Sequence, residues 1–171
     1  MLVDGVNHVA LLTADTDRLH ALYGEVFGAT GAMDSTEDDG FRISIVEVGP
    51  SSSLNVFELD GNTEAERQTP AFGRGRIDHL GLQAALGEAF DEIRRRLMAR
   101  GATDGFVTDF GPVLSLFFRD PDGLEAEVCV ANPRGEPGVG EGPEAALGAA
   151  LPCVRLHQPD RREHLRGVRG D

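Results

Sequence analysis

The sequence contains no lysine, and all 16 of its basic residues are arginine. That excludes Schiff-base chemistry and a phosphate-binding loop lysine within this chain. Cysteine is scarce. Cys129 and Cys153 are too far apart for a C-x-x-C motif and make no disulfide framework, so both read as unreactive thiols. No apolar run reaches the roughly 18 residues that a membrane span needs. The first residues, Met1-Leu2-Val3-Asp4-Gly5, lack the basic and apolar regions of a signal peptide, which makes the cytoplasm the expected location.

Positive charge is also in short supply. The net charge is −13 over 171 residues. From Pro133 to Asp171 six Arg offset six Asp and Glu, so residues 1–132 carry the whole excess, ten Arg against 23 acids. An acidic body of this kind repels phosphate backbones, so nucleic acid is not an expected partner. It suits a cationic small molecule better.

What is present is an internal repeat. Val6 to Thr13 reads as a strand. A helix follows, capped by Asp15 or Thr16, with Leu19, Leu22, Tyr23, Val26 and Phe27 on one face and Gly28 at its end. Three strands are expected next, at 29–35, 41–48 and 54–59. After a polar connection the order begins again. Ile77 to Gln83 is a strand, Phe90, Ile93, Leu97 and Met98 mark a helix closed by Gly101, and strands follow at 102–108, 113–119 and 124–130. His8-Val9-Ala10-Leu11 matches His79-Leu80-Gly81-Leu82 at an offset of 71, and Glu58 matches Glu127 at an offset of 69. Two copies with nearly constant spacing indicate duplication. The modules span about 6–60 and 76–131 of one domain, residues 1–132. Residues 133–171, rich in Gly and Pro at their start, read as a flexible tail.

The repeat places one His in the first strand of each module and one Glu in the last. A lone strand His is usually structural and a lone strand Glu usually solvated. Four such residues in register across a duplication make a two-His, two-carboxylate set for one divalent ion: Ni, Co, Zn, Fe or Mn. The expected ligands are His8, Glu58, His79 and Glu127, with Glu127 or Glu58 also serving as the proton carrier. Gln83 and Arg119 are candidate substrate contacts, though Arg119 also suits a surface ion pair. His20 reads as solvent-facing and Tyr23 as core.

The segments His8-Val9-Ala10-Leu11, Leu22-Tyr23-Gly24-Glu25-Val26-Phe27-Gly28, Ile77-Asp78-His79-Leu80 and Phe118-Arg119-Asp120-Pro121-Asp122-Gly123, running on to Glu127, resemble the vicinal oxygen chelate superfamily. This group includes glyoxalase I, extradiol dioxygenases, methylmalonyl-CoA epimerase, fosfomycin-resistance enzymes and bleomycin-binding proteins. The resemblance covers about 6–131. It implies an α+β fold of two tandem βαβββ modules forming a cupped, barrel-like mixed sheet, commonly completed in a homodimer. His8, His79 and Glu127 fall at the usual metal positions and Glu58 at the fourth, where a glutamate resembles glyoxalase I. Leu124 departs from the Asn often found after the turn. The implied activity is a lyase or isomerase acting on a small substrate with vicinal oxygens, through a metal-stabilised enediolate or oxyanion. An Fe(II) extradiol-type dioxygenase using His8, His79 and Glu127 is the alternative enzyme. A bleomycin-resistance-like drug-binding protein is the non-catalytic alternative.

Overall fold

A computed structural model of the chain describes residues 2–3, 5–37, 40–67, 69, 74 and 76–135. The first module contains β1 (His8–Leu12), α1 (Thr16–Phe27), β2 (Thr30–Thr36), β3 (Phe41–Gly49) and β4 (Ser52–Leu59). The second contains β5 (Leu80–Gln83), α2 (Gly87–Ala99), β6 (Val107–Asp109), β7 (Val113–Arg119) and β8 (Glu125–Ala131). Each module is a four-stranded mixed sheet, ordered β1-β4-β3-β2 in one and β5-β8-β7-β6 in the other. The first strand of each pairs in parallel with the last, and the remaining pairs are antiparallel. This is the tandem βαβββ architecture expected from the repeat. Most of the expected tail, 136–171, lies outside the described residues. No helix among the described residues is long and apolar enough to cross a membrane.

Local chemistry explains the element ends. The Asp15 side chain accepts the Arg18 backbone N–H and caps α1, while Gly28 takes the left-handed conformation that ends it. The strand expected at 102–108 is cut to three residues. Thr103 Oγ1 donates to the Phe117 carbonyl and accepts from Gly105 N, and Asp104 accepts from Phe106 N. These side chains offer the backbone a turn in place of a ladder. The strand expected from Ile77 begins at Leu80, so His79 sits just ahead of β5, not within it.

One core joins the two modules. Leu19, Leu22, Tyr23 and Val26 of α1 meet Phe90 and Leu97 of α2, and sheet residues Leu54, Val56, Leu116, Phe118, Ala126 and Val128 close over them. Phe27 and Phe118 bring their ring centres within 5.3 Å across the module boundary. Arg96 donates to the Glu25 and Val26 carbonyls at the end of α1, where the helix dipole favours a cation. The Asp-Pro-Asp-Gly turn adds a polar lock. Asp122, almost fully buried, accepts from Thr13 Oγ1 at 2.6 Å, from Ala14 N at 3.3 Å and from Arg18 Nη2 at 2.8 Å. The second module's turn is thereby tied to the β1–α1 junction of the first. Gly123 has φ of 88°, as the turn requires.

The helices lie on the core side of both sheets, and among the described residues no helix covers the opposite, open faces. On the core side are Val9, Leu11, Leu54 and Val56 of the first module and Leu80, Leu82, Ala126 and Val128 of the second. Strand alternation then puts His8, Ala10, Leu12, Ser53, Asn55 and Phe57 on the open face of one sheet. It puts Gly81, Gln83, Glu127 and Cys129 on the open face of the other.

Candidate metal centre

His79 and Glu127 are brought together. His79 Nε2 lies 3.1 Å from Glu127 Oε2. Two donors bound about 90° apart, each about 2.1 Å from one ion, would be separated by about 3.0 Å, so the pair has the spacing of neighbouring ligands. The remaining atoms of both side chains are held. Asp78 Oδ2 accepts from His79 Nδ1 at 3.0 Å, leaving Nε2 to face Glu127. Ser115 Oγ donates to Glu127 Oε1. The Phe117 ring meets the imidazole edge-on at 5.6 Å. Oriented imidazoles with a carboxylate behind them are the usual support of metal ligands. The Asp78 hydrogen bond raises the His79 pKa above its ordinary value, burial opposes this, and the Glu127 charge adds to it.

Arg74 fixes the approach to this pair. Only 12% of its side chain is exposed, and its Nη2 meets Glu125 Oε2 at 2.6 Å while Nη1 donates to the Asp78 carbonyl at 2.9 Å. The backbone carrying Asp78 and His79 is therefore fastened to β8 beside Glu127.

In the first module, Asn7 Oδ1 lies 2.8 Å from His8 Nδ1. The residue before each His thus does the same work in both modules, a relationship the sequence carries at the 71-residue offset. His8 itself is exposed on its sheet. Among the described residues no three His, Cys, Asp or Glu side chains converge on a point that could hold a metal ion. Within one chain, His79 and Glu127 form half of the expected set and His8 stands apart from them.

The place expected for Glu58 is revised. It lies on the same side of β4 as buried Leu54 and Val56, and its Oε2 accepts the Thr16 N–H at 2.7 Å at the start of α1. There it satisfies a free helix donor and complements the dipole. The register position matching Glu127 is held by Asn55, since Ala10 pairs with Asn55 as Gly81 pairs with Glu127. Gln83 is on the open face, but its amide donates to the Ala84 and Cys129 carbonyls. Arg119 is exposed and lies opposite Glu125 in the ladder. His20 is not simply solvated: its Nε2 is 2.8 Å from the buried Ser44 Oγ. Tyr23 is fully buried, as expected. Burial pushes the Cys129 thiol up to about 11, with Glu127 adding to the shift, so it is protonated at neutral pH. Cys153 lies outside the described residues.

The chain matches the family model of the Glyoxalase/Bleomycin resistance protein/Dioxygenase superfamily over residues 5–128 and belongs to that family. Solved structures agree on the fold. A glyoxylase/bleomycin resistance protein/dioxygenase domain from Frankia sp. EAN1pec is 24% identical with a TM-score of 0.62, covering 77% of this chain and 94% of its own. The fosfomycin resistance protein FosX from Listeria monocytogenes, solved with Mn(II) and sulfate, is 18% identical with a TM-score of 0.56, covering 78% and 98%. Lactoylglutathione lyase from Agrobacterium tumefaciens is 21% identical with a TM-score of 0.52, covering 76% and 96%. No functionally curated protein sequence matches the chain.

Proposed function

We propose that this protein is a divalent-metal enzyme whose ion is held by His79 and Glu127 of one chain and His8 of a second copy, in a homodimer. The pairing of His79 with Glu127 at 3.1 Å, with Asp78 behind the imidazole, carries this reading. The donor set fits a borderline cation such as Ni, Co, Zn, Fe or Mn. Relatives of the same fold include one solved with Mn(II) and one named as a lyase, which supports a metal and a glyoxalase-like reaction without fixing either.

The reaction is a lyase or isomerase step on a small molecule with two adjacent oxygens. A bound divalent ion supplies Lewis acidity towards those oxygens. Glu127 is the proton carrier, taking the proton from one carbon and returning it to the adjacent one. The Ser115 hydroxyl keeps Oε1 in place during both transfers. Asp78 keeps His79 in the tautomer with Nε2 unprotonated. Elemental analysis of the purified protein, followed by turnover of a hemithioacetal panel, tests the proposal. Protein that contains no metal and refuses all five added ions would sink it. Oxygen uptake with catechols and Fe(II) would move the assignment to ring-cleaving dioxygenation, which needs the same three ligands.

One observation favours a second reading. The body is strongly acidic, which suits sequestration of a cationic drug. Tight binding of such a compound by metal-free protein would support it.

A further inference from the structure

The open face of the first module is apolar in a way the core does not explain. Leu12, Phe41, Ile43, Ile45 and Phe57 occupy it, outside the core cluster formed by the described residues. The Phe41 and Phe57 rings stack with centres 5.8 Å apart and planes 21° from parallel. Leu12, Met33 and Leu59 are each about two-fifths exposed: 42%, 41% and 39%. Exposed apolar surface gathered on one face marks a binding surface.

The register gives this face a direction. His8 stands level with Ser53 and Glu47, a polar row. Next come Ala10, Asn55 and Ile45, with Met33 beyond. Then come Leu12, Phe57 and Ile43, and finally Leu59 beside Phe41. At about 3.3 Å per residue, the Phe57 row lies roughly 13 Å along the strands from the His8 row. No charged side chain stands in the two rows between Ala10 and Ile43, so nothing there would neutralise a carboxylate or phosphate. The other module's open face is mixed, with Gln83, Ser115 and Glu127 beside Phe117 and the Arg119–Glu125 row.

We infer that the substrate is a small molecule with a flat, uncharged apolar body, aromatic or fused-ring, and a pair of vicinal oxygens at one end. The inference rests on the metal-enzyme reading above. The oxygens lie at the His8 end and the apolar body runs along Ile45 and Phe57. Its substituents are held by contact and water exclusion, not by ion pairing. Burying a ring against such a wall contributes about as much as burying a large apolar side chain.

Hydroxamates test this directly, because they chelate through two adjacent oxygens and differ only in the attached group. Calorimetric titration of Mn-loaded protein with acetohydroxamate, benzohydroxamate and 2-naphthohydroxamate should show affinity rising at each step, by about tenfold or more overall. Phe57→Ala and Ile45→Asn should each remove most of that rise. Phe57→Leu, which keeps the volume, should retain part of it. Equal affinity for all three compounds overturns the inference and leaves the metal reading standing. Failure to bind Mn or any hydroxamate overturns both. A Phe57→Ala variant that weakens self-association in sedimentation while preserving the affinity ladder would assign the face to a second copy, and the inference would fail.

Discussion

Asp78 stands behind His79, its Oδ2 3.0 Å from the imidazole Nδ1 that faces away from Glu127. Replacing it with Ala leaves the ring free to turn and removes a carboxylate from the second layer of the site. Asp78→Ala is expected to weaken Mn or Zn affinity by about 10- to 100-fold. Asp78→Asn keeps an oxygen in place, so its loss should be smaller. Calorimetry with each ion measures both. Equal affinity in wild type and Asp78→Ala would show that the contact does no orienting.

If His8 is supplied by the partner, the site can be restored by mixing. Neither His8→Ala nor Glu127→Gln protein should hold metal tightly alone. Unfolded together and refolded, they form heterodimers in which one of the two sites has all its ligands. Random pairing then restores about a quarter of the wild-type metal content. Recovery of none, measured by elemental analysis after gel filtration, would place all three ligands in one chain.

Asp120 introduces a pH dependence opposite to the common one. Burial raises its carboxyl pKa to about 6, the Leu124 N–H opposes that, and the Asp122 charge adds to it. The native state therefore holds this proton more firmly than the unfolded chain does. Stability from this group is complete below the unfolded value near 4 and is lost as pH rises to about 6. The loss is on the order of 2–3 kcal/mol. Urea unfolding midpoints should fall across that interval in wild type and stay flatter in Asp120→Asn.

Asp122→Ala would remove the acceptor of Arg18 at the module boundary and leave the Thr13 hydroxyl only the Asp15 carbonyl at 3.2 Å. The expected cost is about 3 kcal/mol, read from urea unfolding at neutral pH. A change below about 0.5 kcal/mol would mean that the polar lock contributes no stability.

Tyr23→Phe should behave in the opposite sense. The Tyr23 hydroxyl is buried without a hydrogen-bond partner among the described residues. Removing it deletes an unpaired donor while preserving the ring, so stability should hold or rise by about 1 kcal/mol. A loss greater than that would reveal a partner for the hydroxyl.

The repeat was readable because His8 and His79, each followed by a core-facing apolar residue, occur at the head of similar strand and helix patterns. The same comparison, taken one residue earlier, brings out Asn7 and Asp78. The place of Glu58 was not readable. In Leu54-Asn55-Val56-Phe57-Glu58-Leu59 both alternating sets contain apolar residues, because one side meets the core and the other the open face. Period-two reasoning cannot choose between two apolar faces. In Glu125-Ala126-Glu127-Val128-Cys129-Val130 one side is plainly apolar, so the alternation puts Glu127 on the face away from the core. Ser115 and Arg74 carry no sequence signal, since each acts through a contact with a distant segment.

The grip of Asp122 on the β1–α1 junction also bears on how such a molecule can be divided. A half-length chain ending near residue 60 would present Leu19, Tyr23 and Val26 to water and leave Thr13 and Arg18 without the turn that holds them. Cutting the linker is a different matter, because two fragments produced together still have complementary surfaces. Split expression should therefore yield soluble material only when both halves are made in the same cell.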